Sequence, residues 1–520
     1  MSNNPFSGWA AESRASAQEY RARESHDVMK AREARLADAR RGAASFYRNV
    51  IQSPDVPAFL GRGRFASMHE LKERKMIGPG AEQGMFLGAV KNNPLFVNGD
   101  IHLVTYGAPG TGKGRDVILP NLAHIKNQSL VVIDPKDGEN AFASAEHRAQ
   151  KLGHNVVFIN PWGIQNRGSS YFNPLEFIVQ TAQMGQPVKD ECMAFAKSLV
   201  PGSGKEGGDS SWDHGARLFV GPMLEYLARF EPESCRLSEL WSRFFCSATQ
   251  AADYWNRVLE SGDAALVSLA ARNVDVIIDA PKQYSGYLGA MSILDAFRPG
   301  SPGAIATDET SPDFNPYKVK EEPHTIYLMC PEQVIEGAAP WLAIVTQALI
   351  ETIARAPGTR RCLFMVDEIA NLPKMPAVMK AMRLYRGKGI SCWLFPQGRN
   401  SLRAAGYDEH EVKDIEAMAA VLQMWSISDR SLMSDLEAWG GKMAVPTWSR
   451  VSNQSADGSY SVTKNETARS LIQGEDLTLM PERQQLIRAN GVPIVLAEKR
   501  AWFETPRWKE SLRDPRQLFS

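Results

Sequence analysis

Unbroken apolar runs recur in two stretches of the chain: HLVTYG (102–107), SLVVID (129–134) and NVVFIN (155–160), then HTIYLMC (324–330), RCLFMVDE (361–368), SCWLFPQ (391–397) and PIVLAEK (493–499). Runs without alternation suit strands covered on both faces, with helical stretches as crossovers, and predict an α/β fold around a parallel sheet. From about 181 to 300 the β-branched runs thin out, and apolar residues return at three- and four-residue spacing in MAFAKSLV, ARLFVGPMLEYLARF, LSELWSRFF and GYLGAMSILDAF. That is the period of amphipathic helices, so an all-α insertion (181–300) is expected to split one sheet into parts 61–180 and 301–505, with 506–520 as a C-terminal tail. Residues 1–60 are rich in Ala, Arg and Glu and poor in large apolar residues, which predicts a polar helical segment ended by Pro54, Pro57, Gly61 and Gly63. Gly/Ser-rich stretches at 201–211, 298–316 and 452–468 are expected as loops.

The first candidate chemistry follows the run at 102–107. Gly107, Ala108, Pro109, Gly110, Thr111, Gly112 and Lys113 stand between that strand and a helical run opening with Gly114 and Arg115, the context of a P-loop. Glycines let consecutive backbone N–H groups turn inward around a β-phosphate, and Lys113 supplies a cation for the β and γ oxygens. Nucleotide binding is the natural consequence, with ATP and Mg2+ as the expected ligands. Gly114 stands where a Ser or Thr would place a hydroxyl on Mg2+; water can fill that position, so binding survives the change better than rate. The string PGSGKEGG at 201–208 mimics the motif but follows a helical run and reads as a loop.

The partner site is predicted at Asp367 and Glu368, which end a buried strand and so lie at the carboxyl edge of the sheet, where ligands of open α/β sheets bind. Asp367 is expected to hold Mg2+ through water and Glu368 to polarise the attacking water. Gln397 ends the next run and is placed to sense the γ-phosphate or to be a plain surface glutamine. Arg386, just before that run, reads either as a solvated loop arginine or as a finger reaching a neighbouring subunit's nucleotide. Asp134 and Lys136 end the second strand, in a salt bridge or a mechanistic role.

Composition narrows the field. The 59 basic and 59 acidic residues cancel, so a nucleic-acid partner has to be met by local surface and not by a global field. Six scattered cysteines without a CxxC pair read as reduced core residues, and Cys330, Cys362 and Cys392 in particular sit in apolar runs. The most apolar stretch, Ala339 to Ala354, is interrupted by Thr346, Gln347, Glu351 and Thr352, so no membrane span is expected.

Several segments in register resemble the TraG-type coupling proteins of type IV secretion and conjugation. GRGRFASMHELKERKMI with GMFLGAV is similar to that family's opening segment. YGAPGTGKGRDVILPNL and VVIDPKDGEN resemble its P-loop and second strand, SSYFNPLEFI its Asn-Pro-Leu element, SSWDHGARLFVGPMLEYLA the start of its helical domain, and TIYLMCPEQVIEGAAPWLAIVTQALI, VDEIANLP and Gln397 its later core. The resemblance runs from about 61 to 505. It implies a RecA-like nucleotide-binding domain carrying an all-α domain and assembled as a homo-hexameric ring, with a glycine after the P-loop lysine tolerated.

The same resemblance implies an ATP-driven motor that brings a relaxase with its single-stranded DNA, or an effector protein, to the secretion channel. A slowly hydrolysing receptor and a FtsK- or HerA-like DNA translocase are the other readings. Family members usually begin with two transmembrane helices, whereas the first 60 residues here are polar. A bacterial cytoplasmic protein recruited to the inner membrane by its partners, with a separate membrane-anchor protein among them, is therefore expected.

Overall fold

The computed structural model describes residues 63–202, 211–425, 427, 429–452 and 460–519. The polar helix expected for 1–60, most of the 201–211 loop and the middle of the 452–468 stretch fall outside these residues. The chain forms two compact units, one of Met68–Asp429 with Arg483–Ser520 and one built on Arg430–Glu482 with the segment ending at Ser67.

The large unit is organised by an eleven-stranded sheet made of β1 (Met85–Val90), β2 (Asn93–Val97), β3 (His102–Gly107), β4 (Ser129–Asp134), β5 (Asn155–Ile159), β6 (His324–Met329), β7 (Cys362–Asp367), β8 (Ile390–Phe395), β9 (Ala419–Trp425), β12 (Gln484–Ala489) and β13 (Val495–Glu498), with β10 (Lys442–Ser452) and β11 (Tyr460–Ser470) left to the small unit. The strand order is β2-β1-β13-β12-β9-β3-β8-β7-β4-β6-β5. From β9 to β5 every pairing is parallel, and β12, β13, β1 and β2 extend the sheet antiparallel. Every residue of β3, β4, β6, β7 and β8 is buried, as their unalternating apolar sequences require, while β2 and β5 at the two edges are partly exposed.

Among the described residues no strand lies between β5 and β6, and helices run from Lys189 to Thr307. Local chemistry sets their ends. Ser247 and Gln250 form a reciprocal capping box on Ala248–Leu259, and the Asp263 carboxylate accepts from the N–H groups of Ala265 and Leu266 at the start of Ala264–Asp279. In the latter helix Leu266, Ala270, Asn273 and Ile277 are buried at helical spacing. One helix among the described residues, within Glu332–Arg355, is long and apolar enough to cross a membrane, and 83% of its most apolar window is buried in the fold.

Four expectations need correction. The 452–468 stretch lies largely in β10 and β11, which pair from Lys442 with Ser470 to Ser452 with Tyr460. Rich in Ser and Asn and poor in apolar residues, it shows no strand pattern in sequence and so reads as a loop. With Arg430–Glu482 forming part of its own unit, the expected second half, 301–505, is interrupted. The 298–316 stretch contains a helix, Pro302–Thr307, capped by Ser301 through the Ala304 N–H. The 506–520 tail is packed: Trp508 is buried edge-on against Phe86 at 4.8 Å, and the Arg513 N–H donates to the Ala143 carbonyl at 3.0 Å.

Candidate functional site

Strands β3, β8 and β7 are consecutive in the sheet and parallel, so their carboxyl ends deliver the P-loop, Gln397 and the Asp367–Glu368 pair to one edge. The loop after β3 closes on itself: the Thr111 hydroxyl donates to the Ala108 carbonyl at 2.7 Å, and the Asp116 N–H to the Gly112 carbonyl at 2.8 Å. Gly110 and Gly112 have φ of 75° and 90°, a region L side chains rarely adopt, and a Cβ on Gly112 would lie 2.7 Å from Asp116 Oδ2. The cradle is therefore one that glycine alone leaves open.

Lys113 is buried, and its ammonium donates to the Gly107 carbonyl at 2.9 Å. Burial lowers its pKa, against which the negative charges of Glu368 and Asp367 act. Gly114–Ile118 and Leu119–His124 continue as helix, in which Arg115 grips the buried Asp116 with Nε–Oδ1 at 2.6 Å and Nη2–Oδ2 at 2.8 Å.

Asp367 and Glu368 are both buried, and Glu368 adopts φ 49°, the left-handed region uncommon for a residue with a Cβ. The Lys136 ammonium lies 2.9 Å from Glu368 Oε1 and 3.8 Å from Asp367 Oδ2. Burial works to raise the Glu368 pKa, but Lys136, Lys113 and the Gln397 amide more than offset it, and the group is held below the usual glutamate value. Asp367 goes the other way, raised by burial against the pull of Lys136. Gln397 Nε2 is 3.5 Å from Glu368 Oε2, at the outer limit of a hydrogen bond. Asp134 accepts from the Asn140 amide at 3.0 Å and the Ala141 N–H at 2.8 Å, tying β4 to the helix Glu139–Gln150; burial raises its pKa to about 7.

Arg386 is not brought to this cluster. It is exposed in the turn Arg386–Lys388 at the amino end of β8, the edge opposite the P-loop of its own chain. Lys499, which the sequence reading passed over, does belong here: its ammonium donates to the Thr111 carbonyl at 2.8 Å and lies 4.8 Å from the centre of the Trp425 ring. Its signal was the ending of PIVLAEK, a functional group at the end of an apolar run like Asp367 and Gln397; β13 runs parallel to β3 through two antiparallel pairings.

The residues fit a nucleotide phosphate chain with its divalent metal. The cradle presents turned backbone and a buried ammonium, and the Asp367 and Glu368 carboxylates already face a cation, Lys136. Gly114 contributes no hydroxyl.

The family model described as "Type IV secretory system Conjugative DNA transfer" matches residues 64–519. The conjugal transfer protein TraG of Escherichia coli is 24% identical over 363 residues, 64% of this chain and 55% of that protein. Protein VirD4 of Rhizobium radiobacter is 22% identical over 399 residues, 75% of this chain and 55% of that protein. The chain thus spans about half the length of these curated relatives. Among solved structures, the plasmid coupling protein TrwB with the non-hydrolysable ATP analogue ADPNP superposes with a TM-score of 0.61 at 16% identity, covering 86% of this chain and 96% of that one. TrwB with ADP and Mg2+ gives 0.59 at the same identity and coverage.

Proposed function

The chain belongs to the type IV secretory system conjugative DNA transfer family, and from that premise we propose that it is the ATP-driven coupling protein of such a system. In this reading it takes a relaxase-bound single strand or an effector protein and delivers it to the secretion channel. The observation that carries the reading is the convergence of Lys113, Gln397, Asp367 and Glu368 at the ends of three adjacent parallel strands of a RecA-like fold. TrwB binds ADPNP, and ADP with Mg2+, and the same ligands are proposed here.

Residues Gly107 to Arg115 hold the phosphates, with Lys113 neutralising the β and γ oxygens. Asp367 would hold Mg2+, which when bound supplies further charge neutralisation. Glu368, kept ionised by Lys136, accepts a proton from the attacking water, and Gln397 orients that water. Arg386, at the amino end of β8 and away from the P-loop of its own chain, serves a neighbour's site in a homo-hexameric ring. The secretion channel components at the inner membrane are its further partners.

The missing hydroxyl at Gly114 favours one second reading, a nucleotide-binding receptor that hydrolyses slowly. The test of the proposal is transfer from donor cells that carry the cognate secretion system and either the wild-type chain or Lys113→Ala. Transfer falls to the level of a deletion strain with the variant; undiminished transfer by a stably expressed variant overturns the proposal.

A further inference from the structure

The C-terminal segment returns to the P-loop helix at a place the phosphate chemistry leaves unused. The turn Trp502–Glu504 packs on Gly114–Ile118, the helical turn directly after Lys113. Beside this contact is a cavity of about 430 Å³ whose walls include Gly114, Arg115, Leu119, Trp502, Phe503 and Arg516. Trp502 is buried and stands edge-on to Phe503, with ring centroids 5.6 Å apart and planes at 80°, so the Phe503 ring is backed by packed structure. Phe503 is nevertheless 43% exposed.

The segment is pinned on both sides of the turn. Lys499 holds the Thr111 carbonyl at 2.8 Å before it, and after it Trp508 packs on Phe86 and the Arg513 N–H reaches the Ala143 carbonyl. Arg516, which also lines the cavity, has its side chain 84% exposed and its guanidinium tied to the Asp514 carboxylate at 2.5 Å. A fixed aromatic face and a planar cation, opening on a cavity that starts at the two residues after the phosphate-binding lysine, are the chemistry that holds a heteroaromatic ring. Exposed apolar surface on a pinned turn gains most from such a cover.

We propose that the Trp502–Phe503 turn is the platform on which the purine base of the bound nucleoside triphosphate stacks, with Arg516 as a further lining residue of the same cavity. The inference rests on the nucleotide-binding reading of the P-loop and adds the part of the ligand that the P-loop does not hold. It makes the C-terminal segment a contributor to affinity through the base and not through the phosphates.

Isothermal titration of the full chain with ATP and with inorganic triphosphate, each with Mg2+, separates the two parts. Phe503→Ala weakens ATP by about tenfold, leaves triphosphate within twofold of wild type, and Phe503→Trp restores ATP affinity. ATP affinity unchanged in Phe503→Ala, or equal losses for ATP and triphosphate, overturns the platform while the P-loop site stands. Wild-type protein that binds neither ligand overturns the nucleotide-binding reading and the platform with it.

Discussion

Lys136 shows how the site divides its charges. Its ammonium lies on Glu368, so the carboxylate proposed as proton acceptor is kept ionised, while Asp134, two residues earlier, carries a pKa raised to about 7 by burial and holds backbone. Glu368→Gln keeps the shape and loses the proton acceptor; ATP affinity stays within about threefold, and turnover falls by about 100-fold or more in a steady-state assay. Full turnover would remove Glu368 from that role. A second residue gives a pH prediction. His102 Nδ1 accepts the Cys392 N–H at 3.1 Å, joining β3 to β8, and burial, with the Arg386 charge adding to it, lowers its pKa from 6.5 to about 4. The folded state binds that proton less readily than the unfolded chain, so this stabilisation is complete above about pH 6.5 and is lost as pH falls toward 4. His102→Asn keeps an acceptor and removes the titration. Its melting temperature, followed by calorimetry across that window, falls less than that of wild type; an equal fall places the acid sensitivity in other groups. At this scale the placement of the glycine-rich loop and of the acid pair at strand ends was legible, because each is a contiguous motif. Lys499 was not, since 388 residues separate it from the carbonyl it holds.

Elements were legible in proportion to how fully they are buried by the sheet itself. The six runs that became β3 to β8 are continuous and apolar, whereas β12 carries Gln485 and Arg488 and β9 carries Gln423, polar residues that the sequence pattern counts against a buried strand. Structure explains two of them: Gln423 and Gln485 are fully buried and bond each other at 3.0 Å, and each also donates to the Leu87 carbonyl. A similar polar tie connects the P-loop helix to β1. Asn121 accepts the Phe86 N–H at 2.7 Å and donates to the Phe86 carbonyl at 2.9 Å, all without exposure to solvent. Asn121→Ala leaves both backbone groups unpaired, at about 1–3 kcal/mol each, and lowers the unfolding free energy in urea by about 3 kcal/mol. A loss below about 1 kcal/mol would mean that water enters and replaces the amide.

On the scale of the whole molecule, one chain carries the proposed phosphate-binding residues at one end of its parallel strands and presents Arg386 at the other. The proposed ring makes use of that separation. Mixing Arg386→Ala with Lys113→Ala subunits restores part of the turnover that each lacks, because a mixed interface unites an intact P-loop with an intact arginine; no recovery in rings shown to be mixed leaves Arg386 a surface residue. The division into sheet and helical insertion could be read from periodicity, but the separate unit of Arg430–Glu482 could not, since it is inserted in the chain between β9 and β12 without a change of composition that marks it.

ATP turnover by the purified chain with and without single-stranded DNA tests the proposed motor most directly. Hydrolysis is expected to rise when the strand is added and to disappear in Lys113→Ala. Turnover that is absent under both conditions in protein that binds ATP would contradict the motor and leave a nucleotide-binding receptor.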